Sequence, residues 1–270
     1  MSFANFKPTI WSKFYQHELE NKAILAEWCN RQFEGEAKYG NQVKILGVGA
    51  VSIINYTGAS LGTPETVEDT SVILPIDKAK AFFIQVGDVD QKQSVPGLME
   101  ALMEETTRAT AHQIDTDVAA CAATAGKFSS STQINTAALA KTAVDAGLVA
   151  LRENNVQITD DVVVELAPFV YQLLKEKYID LDTNNSELLR KGIVGYYDNA
   201  RVRVTNNLYN DGVDYYCMIR TKKAIAYVNQ IEKVEACRPS DNFVDYVKGL
   251  AVYGVKTVRP KELYVIKAHK

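Results

Sequence analysis

Apolar residues between Trp11 and Cys29 recur at helical spacing: Trp11, Tyr15, Leu25, Ala26 and Cys29 share one face at ~100° per residue. The i,i+4 pair Glu18 and Lys22 interrupts that face. This predicts an amphipathic N-terminal helix with little apolar sequence beside it, covered either by its own domain or by another chain. From Val43 to Val86 the pattern turns to strand, with Val43, Ile45, Val48, Val51, Ile53 and Ile54 before a polar tip and Val67, Val72, Ile73, Ile76, Phe82 and Ile84 after it. The tip, Tyr56 to Pro64, is rich in Gly, Ser and Thr, so the two runs read as a long hairpin. A two-stranded ribbon of that length is marginal in water unless a sheet or a neighbouring subunit covers one face.

A helix follows from about Gly97 to Ala125, introduced by Ser94 and Pro96 and stopped at Gly126. Its small residues Ala109, Ala111, Ala119, Ala120, Ala122 and Ala123 allow close approach of other backbone, as suits a structural spine. Beyond a Ser/Thr-rich link from Lys127 to Gln133, the pattern predicts a helix near Thr136 to Glu153, a buried strand Val162 to Leu166 and a helix from Pro168 to about Tyr178. Strands dominate again from Ile193, with Val202 to Thr205 and Tyr215 to Ile219 joined across the tight-turn signal Asn210-Asp211-Gly212. Leu250 to Val258 and Leu263 to Ile266 read as further strands.

Composition narrows the class. With 47% hydrophobic and 23% charged residues the chain reads as an ordinary folded protein, and 270 residues suit one large domain or two modest ones at ~150 residues each. A net charge of −3 excludes a global basic field for tight nucleic-acid binding, so any contact with DNA is expected to be local and weak. Cys29, Cys121, Cys217 and Cys237 are scattered with no CxxC pairing and read as reduced thiols. The opening residues Met1 to Pro8 carry no signal-peptide pattern, and there is no apolar run of ~18 residues to predict a membrane span.

The chemical motifs are decoys. Gly58-Ala59-Ser60-Leu61-Gly62 satisfies the nucleophile-elbow pattern, but Thr63-Pro64 leads into strand rather than the helix an elbow needs, and only His112 and His269 could serve Ser60 as a downstream base. Asp180 to Asn184 opens like a calcium loop, yet Asn185 and Lys191 stand where Gly and Glu are required. Gly47-Val48-Gly49 and Gly126-Lys127-Phe128 are fragments of phosphate-binding patterns. His17, His112 and His269 have no metal-ligand spacing, and Asp88 and Asp90 read as caps for the helix that follows. No catalytic residue, cofactor or metal is expected.

The run Asp69-Thr70-Ser71-Val72-Ile73-Leu74-Pro75-Ile76-Asp77-Lys78, then Phe82 to Gln91, then the long Ala-rich helix, resembles tailed-phage major capsid proteins. The resemblance continues through Ala224 to Gln230, Phe243, Tyr246 to Gly249, Tyr253 to Lys256 and Arg259-Pro260, and covers the chain from about Phe33. It implies an α+β protein of the Hong Kong 97 type fold: an N-terminal arm over 1–32, an extended β-hairpin loop over 33–93, the spine helix of a peripheral domain over 94–127, an axial α/β domain over 128–220, and return strands of the peripheral domain over 221–270. The implied function is a coat protein that self-assembles into an icosahedral head around double-stranded DNA. Implied partners are other copies in hexamers and pentamers, a separate scaffolding protein, a portal and packaged DNA, with assembly in the host bacterial cytoplasm. Trp11, Tyr15, Trp28, Tyr56 and Leu61 are the expected subunit contacts, and Gly87 and Gly126 the expected hinges. Some family members cross-link a loop lysine to an asparagine. Lys38, Lys44, Lys78 and Lys80 lie in or beside the arm without that context, so stabilisation is expected to be non-covalent. The competing readings are an encapsulin-like nanocompartment shell and, remotely, a serine hydrolase using Ser60.

Overall fold

A computed structural model of the chain describes residues 23–35, 40–48, 69–87, 98–159, 161–175, 193–238 and 244–270. The first described element is a single helical turn, α1 (Ile24–Glu27), followed by β1 (Gln42–Val48), β2 (Asp69–Pro75) and β3 (Lys78–Gly87). Strands β1 and β2 pair antiparallel from Gln42 opposite Pro75 to Val48 opposite Asp69, forming the expected ribbon. Alternation orients it. Val43, Ile45, Leu74 and Ile76 turn inward onto Ala226 and Val228, while Lys44, Leu46, Ser71 and Ile73 face out.

The second limb of the expected hairpin is divided. The ladder of β2 stops at Pro75, and after Ile76 and Asp77 the chain enters β3, which leaves β1 and pairs antiparallel with β11 (Val244–Thr257). Strand β10 (Ile225–Cys237) completes this three-stranded sheet in the order β10-β11-β3. The residues around Pro75 are pressed against β11, because a Cβ on Gly254 would collide with the Pro75 carbonyl. Lys256 Nζ also donates to Ile73 O at 2.8 Å, tying the ribbon to the same strand.

The spine, α2 (Leu98–Ala120), has 23 residues and so runs ~35 Å. Met103, Thr107, Ala111, Ile114, Val118 and Ala122 follow one another at three- and four-residue steps and are buried, so the amphipathic face is continuous. Of the six expected small contacts, Ala111, Ala119 and Ala122 are buried, and Ala109, Ala120 and Ala123 face out. The α-helix ends five residues earlier than the composition suggests and tightens into a 3₁₀ turn over Cys121–Thr124. There Thr257 of β11 donates to Cys121 O at 3.3 Å and its hydroxyl meets that of Thr124 at 2.7 Å, so side chains of another strand take over at the helix end.

The remaining elements build a seven-stranded sheet: β4 (Lys127–Phe128), β5 (Thr132–Gln133), β6 (Val162–Leu166), β7 (Ile193–Tyr197), β8 (Ala200–Val204), β9 (Tyr215–Thr221) and β12 (Leu263–His269). Its order is β4-β12-β9-β6-β8-β7, with β5 also paired to β12. Helix α3 (Ala137–Glu153) packs on β9 and β12, and α4 (Pro168–Lys175) on α3. Thr136 caps α3 by accepting from Leu139 N. Gly147 is required by packing, since a Cβ there would strike Ile219 and the Tyr264 ring.

Two expectations change here. The strands β8 and β9 do not form a hairpin: β6 lies between them, parallel to β8 and antiparallel to β9. All five residues of β6 are buried, so this strand belongs in the sheet interior, while Asn210-Asp211-Gly212 makes only a local turn, with Gly212 at φ +98°. The final strand also crosses the expected boundary at 220. Rather than returning to the sheet of β3, β10 and β11, β12 pairs with β9 from Leu263 opposite Arg220 to Ala268 opposite Tyr215.

Candidate assembly surfaces

The segment after the N-terminal arm is gripped by buried charge at both ends of α1. Asp115 of α2 accepts from the backbone N–H groups of Ile24 and Leu25 at 2.9 Å each and of Ala26 at 3.1 Å. Its carboxyl is pushed up to about 6 by burial, against the pull of those three N–H bonds and of the Asn207 side chain. At the other end Arg220 of β9 donates to Leu25 O at 3.0 Å and Trp28 O at 2.5 Å, while Nε and Nη2 reach both oxygens of Glu165 on β6 at 2.9 and 2.7 Å. Arg220 and Glu165 are fully buried. Burial opposes the guanidinium charge, but Glu165 and Cys29 outweigh it and hold the Arg220 pKa up. Arg203 of β8 adds bonds to Ile24 O and to Glu27 Oε2. The root of the arm therefore joins the spine helix to the seven-stranded sheet through buried polar groups that are largely paired with one another, although Arg203 Nε is buried without a hydrogen-bond partner among the described residues.

Trp28 ends this clamp. Its ring lies under Arg201, Arg203 and Lys222, with cation-to-centroid distances of 4.7, 5.2 and 5.4 Å, and its Nε1 donates to Asp161 O at 3.3 Å. It is half-buried on its own chain. Trp11, Tyr15, Tyr56 and Leu61 lie outside the described residues, as do Ser60, His17, Asp88, Asp90 and the Asp180 to Asn184 run.

Gly87 closes β3 opposite Val244. At the other expected hinge, Gly126 N donates to Pro260 O at 2.9 Å, and a Cβ on Gly126 would run into that carbonyl. Close packing thus gives Gly126 a reason to be glycine independent of any bending. Lys78 and Lys80 both lie 3.8 Å from Asp117 of α2, where Tyr253 also donates at 2.6 Å, so these two arm lysines are engaged within their own chain.

The outer faces of the ribbon and of the three-stranded sheet carry exposed apolar side chains among polar ones. Leu46 is 66% and Ile73 46% exposed on the ribbon, and Phe83 65% and Leu250 39% on the sheet. Phe83 stacks on Tyr246 at 5.0 Å between ring centroids, beside a cluster in which Glu235 bridges Lys233 and Lys248. Exposed apolar side chains gathered on sheet faces are candidate interaction surfaces.

Sequence patterning missed one cluster. Ser131, Asp214 and His269 are the residue types of a catalytic triad, but Ser131 Oγ donates to Asp214 Oδ1 at 2.8 Å and His269 Nδ1 meets that same oxygen at 2.9 Å. A relay needs the imidazole between serine and carboxylate, so this arrangement instead ties β12 to the loops at 131 and 214. The separations of 83 and 55 residues leave no spacing signal that could have announced it. His112, the other candidate base for Ser60, is exposed on α2. No group of three metal-ligating side chains occurs among the described residues.

No protein-family model matches the chain, and no curated protein matches it. Among solved structures it is similar to one from Mycobacterium phage Che8, with 29% identity over 90% of each chain and a TM-score of 0.74. It is also similar to the capsid structure of cyanophage P-SCSP1u, at 17% identity over 86% of this chain and 85% of that one, TM-score 0.68. A virus-like particle from Pyrococcus furiosus matches 96% of this chain and 98% of its own at 11% identity, TM-score 0.62. The last two likenesses concern the fold alone. Sequence resemblance and architecture agree: the chain has the α+β, Hong Kong 97 type fold of the tailed-phage major capsid proteins.

Proposed function

We propose that the chain is the major capsid protein of a tailed phage or prophage, and that its copies assemble into an icosahedral head around double-stranded DNA. The likeness to a phage structure over 90% of both chains supports this reading most. The exposed apolar faces at Leu46, Ile73, Phe83 and Leu250 suit it, because a shell places neighbours on every side of a subunit. The ribbon would lie across the next subunit, the seven-stranded sheet would face the capsomer centre, and the spine with the three-stranded sheet would form the peripheral part. Trp11, Tyr15, Trp28, Tyr56 and Leu61 would contribute contacts, and Gly87 and Gly126 would flank the parts that tilt between hexamers and pentamers. Packaged DNA would meet the inner wall without sequence readout, in keeping with the net charge of −3. A separate scaffolding protein and a portal would direct assembly in the host cytoplasm.

Negative-stain electron microscopy of the chain, expressed alone and with its neighbouring gene products, tests the proposal. Shells, tubes or capsomers tens of nanometres across are expected, with DNA in shells made in the presence of the packaging machinery. Shells that hold a protein cargo instead would replace the head with a nanocompartment. A monomer at every concentration and salt condition would end both shell readings.

A further inference from the structure

We infer that the recess where the turn after α3, the start of β6, the β9–β10 turn and the β11–β12 connection meet is a seat for the sugar-phosphate backbone of packaged DNA. The inference rests on the proposed function and deepens it by naming residues that meet the nucleic acid. The recess, about 350 Å³, is lined by Lys222, Lys223, Arg259 and Lys261 against Asp161 and Glu262, a local excess of positive charge in a chain whose net charge is −3. Its walls are set before any ligand arrives. Asn154 Nδ2 donates to Lys261 O at 2.8 Å, Lys222 N to Asp161 O at 3.0 Å and Arg259 N to Ala224 O at 3.1 Å, so hydrogen bonds tie all four segments to one another. The charges inside are only partly engaged. Glu262 accepts from Arg259 at 2.9 Å and from the Thr221 hydroxyl at 2.5 Å, and Lys222 Nζ lies 5.4 Å from the centre of the Trp28 ring. Among the described residues no hydrogen bond or ion pair reaches the side chains of Lys223, Lys261, Asn155 or Gln157, all of which are exposed in the lining. Two ammonium groups and two amides are therefore left to donate, with Asp161 the remaining carboxylate.

Phosphodiester oxygens suit those donors. They accept from ammonium and amide groups alike, and an ammonium group that replaces a condensed counterion gains the entropy of its release. Duplex DNA presents one negative charge for every ~1.7 Å of its axis, so a recess on an inner wall meets phosphates at any register and needs no base contact. An acidic peptide carries fewer charges and has to be presented in one register by one partner. The chain as a whole repels a polyanion, and the place where DNA approaches is then set by a local excess of positive charge. Arg201, 4.7 Å from the same Trp28 ring as Lys222, extends the positive region beyond the recess. On the shell reading, this side of the subunit belongs to the inner wall.

Fluorescence anisotropy of a labelled DNA duplex titrated with the full chain, below the concentration at which it assembles, tests the assignment. Lys223→Gln with Lys261→Gln removes two charges from the recess, and Lys44→Gln with Lys175→Gln removes two from exposed positions elsewhere. Between about 50 and 200 mM salt the recess variant is expected to bind more weakly and to lower the slope of log affinity against log salt by roughly 2, and each single substitution by roughly 1. The control variant is expected to keep the wild-type slope, as is the charge-retaining Lys223→Arg with Lys261→Arg. Equal losses in the recess and control variants would overturn the assignment, because net charge alone would then explain binding. So would a wild-type chain that binds no duplex at about 50 mM salt. Tighter binding of polyglutamate than of duplex, lost in the recess variant, would overturn it in favour of an acidic protein partner. Displacement by inorganic phosphate as effective, phosphate for phosphate, as by unlabelled duplex would overturn it in favour of a small anion. A density map of assembled shells with the recess on the outer surface would overturn it and leave the shell reading intact. A chain that forms no shells, yet loses duplex affinity through Lys223 and Lys261, would support the recess as a DNA contact while removing the shell reading.

Discussion

Strands β6 and β2 each carry a run of aliphatic residues and have opposite surroundings. Val162-Val163-Val164-Glu165-Leu166 is buried at every position, with β8 and β9 on its flanks and helices over the sheet. In Asp69-Thr70-Ser71-Val72-Ile73-Leu74-Pro75, Leu74 is buried against the body while Ile73 is 46% exposed on the face that no described residue covers. The seven-stranded sheet finishes its own core, even supplying Arg220 for its one buried glutamate, whereas the ribbon finishes only one side. Self-sufficiency in one region and incompleteness in the other is the division expected of a subunit that folds first and associates second.

The largest expected effect attacks the self-sufficient region. Arg220→Met leaves Glu165 buried without its partner and should lower stability by about 3–5 kcal/mol in urea unfolding. Replacing both residues, Glu165→Leu with Arg220→Met, should cost less, yet it deprives Leu25 O and Trp28 O of their donor. The arm root should then become sensitive to limited proteolysis. A double variant as unstable as the single one would show that the pair acts mainly through the arm.

The next pair of substitutions sharpens the contrast directly. Leu166→Ala should cost about 2–5 kcal/mol in the isolated chain, as expected for a fully buried leucine. Leu46→Ser with Ile73→Ser should change that stability by no more than about 0.5 kcal/mol per site, because both side chains already meet water. Sedimentation velocity should nevertheless detect weakened association for the ribbon variant alone. Destabilisation of the isolated chain by the ribbon variant would erase the distinction between the two regions.

A pH-dependent effect concerns the clamp between the spine helix and the seven-stranded sheet. The folded-state pKa of Asp115 is about 6, above its unfolded value of about 3.9, so between those values the folded chain holds a proton that the unfolded chain has released. Stability from this group is greatest below the window and is lost as pH rises through it, by up to roughly 3 kcal/mol. Asp115→Asn should flatten that slope when unfolding is followed from pH 4 to pH 7. A wild-type contribution that grew with pH would contradict the buried carboxyl.

Most elements were legible because their periodicity reports burial. The helix of Thr136 to Glu153, the buried strand at 162–166 and the ribbon's alternation each follow from which residues face a core. Pairing partners were not legible, since β6 inserts between β8 and β9 and β12 joins β9 through hydrogen bonds that any apolar strand can make. The clamp escaped for the same reason: Asp115, Glu165, Arg203 and Arg220 are spread over more than a hundred residues and look like ordinary surface charges until the fold buries them. The family resemblance supplied the architecture that local patterning could not, while residue-level surfaces depended on exposure in three dimensions.

The place of β12 in the sheet sets a schedule for synthesis. Lys127 pairs with Tyr264, so the early edge strand waits for about 137 residues to be translated before its partner exists. At ~5–20 residues per second the ribosome needs roughly 7–27 s for that interval, during which β4, and once it is made one edge of β9, remain without their native neighbour. A nascent chain therefore cannot complete this sheet, and present a finished body to its neighbours, until the ribosome has passed residue 269. The late strand thereby postpones completion of the sheet to the end of synthesis, and until then the waiting edges are unpaired strand edges of the kind that invite wrong pairing.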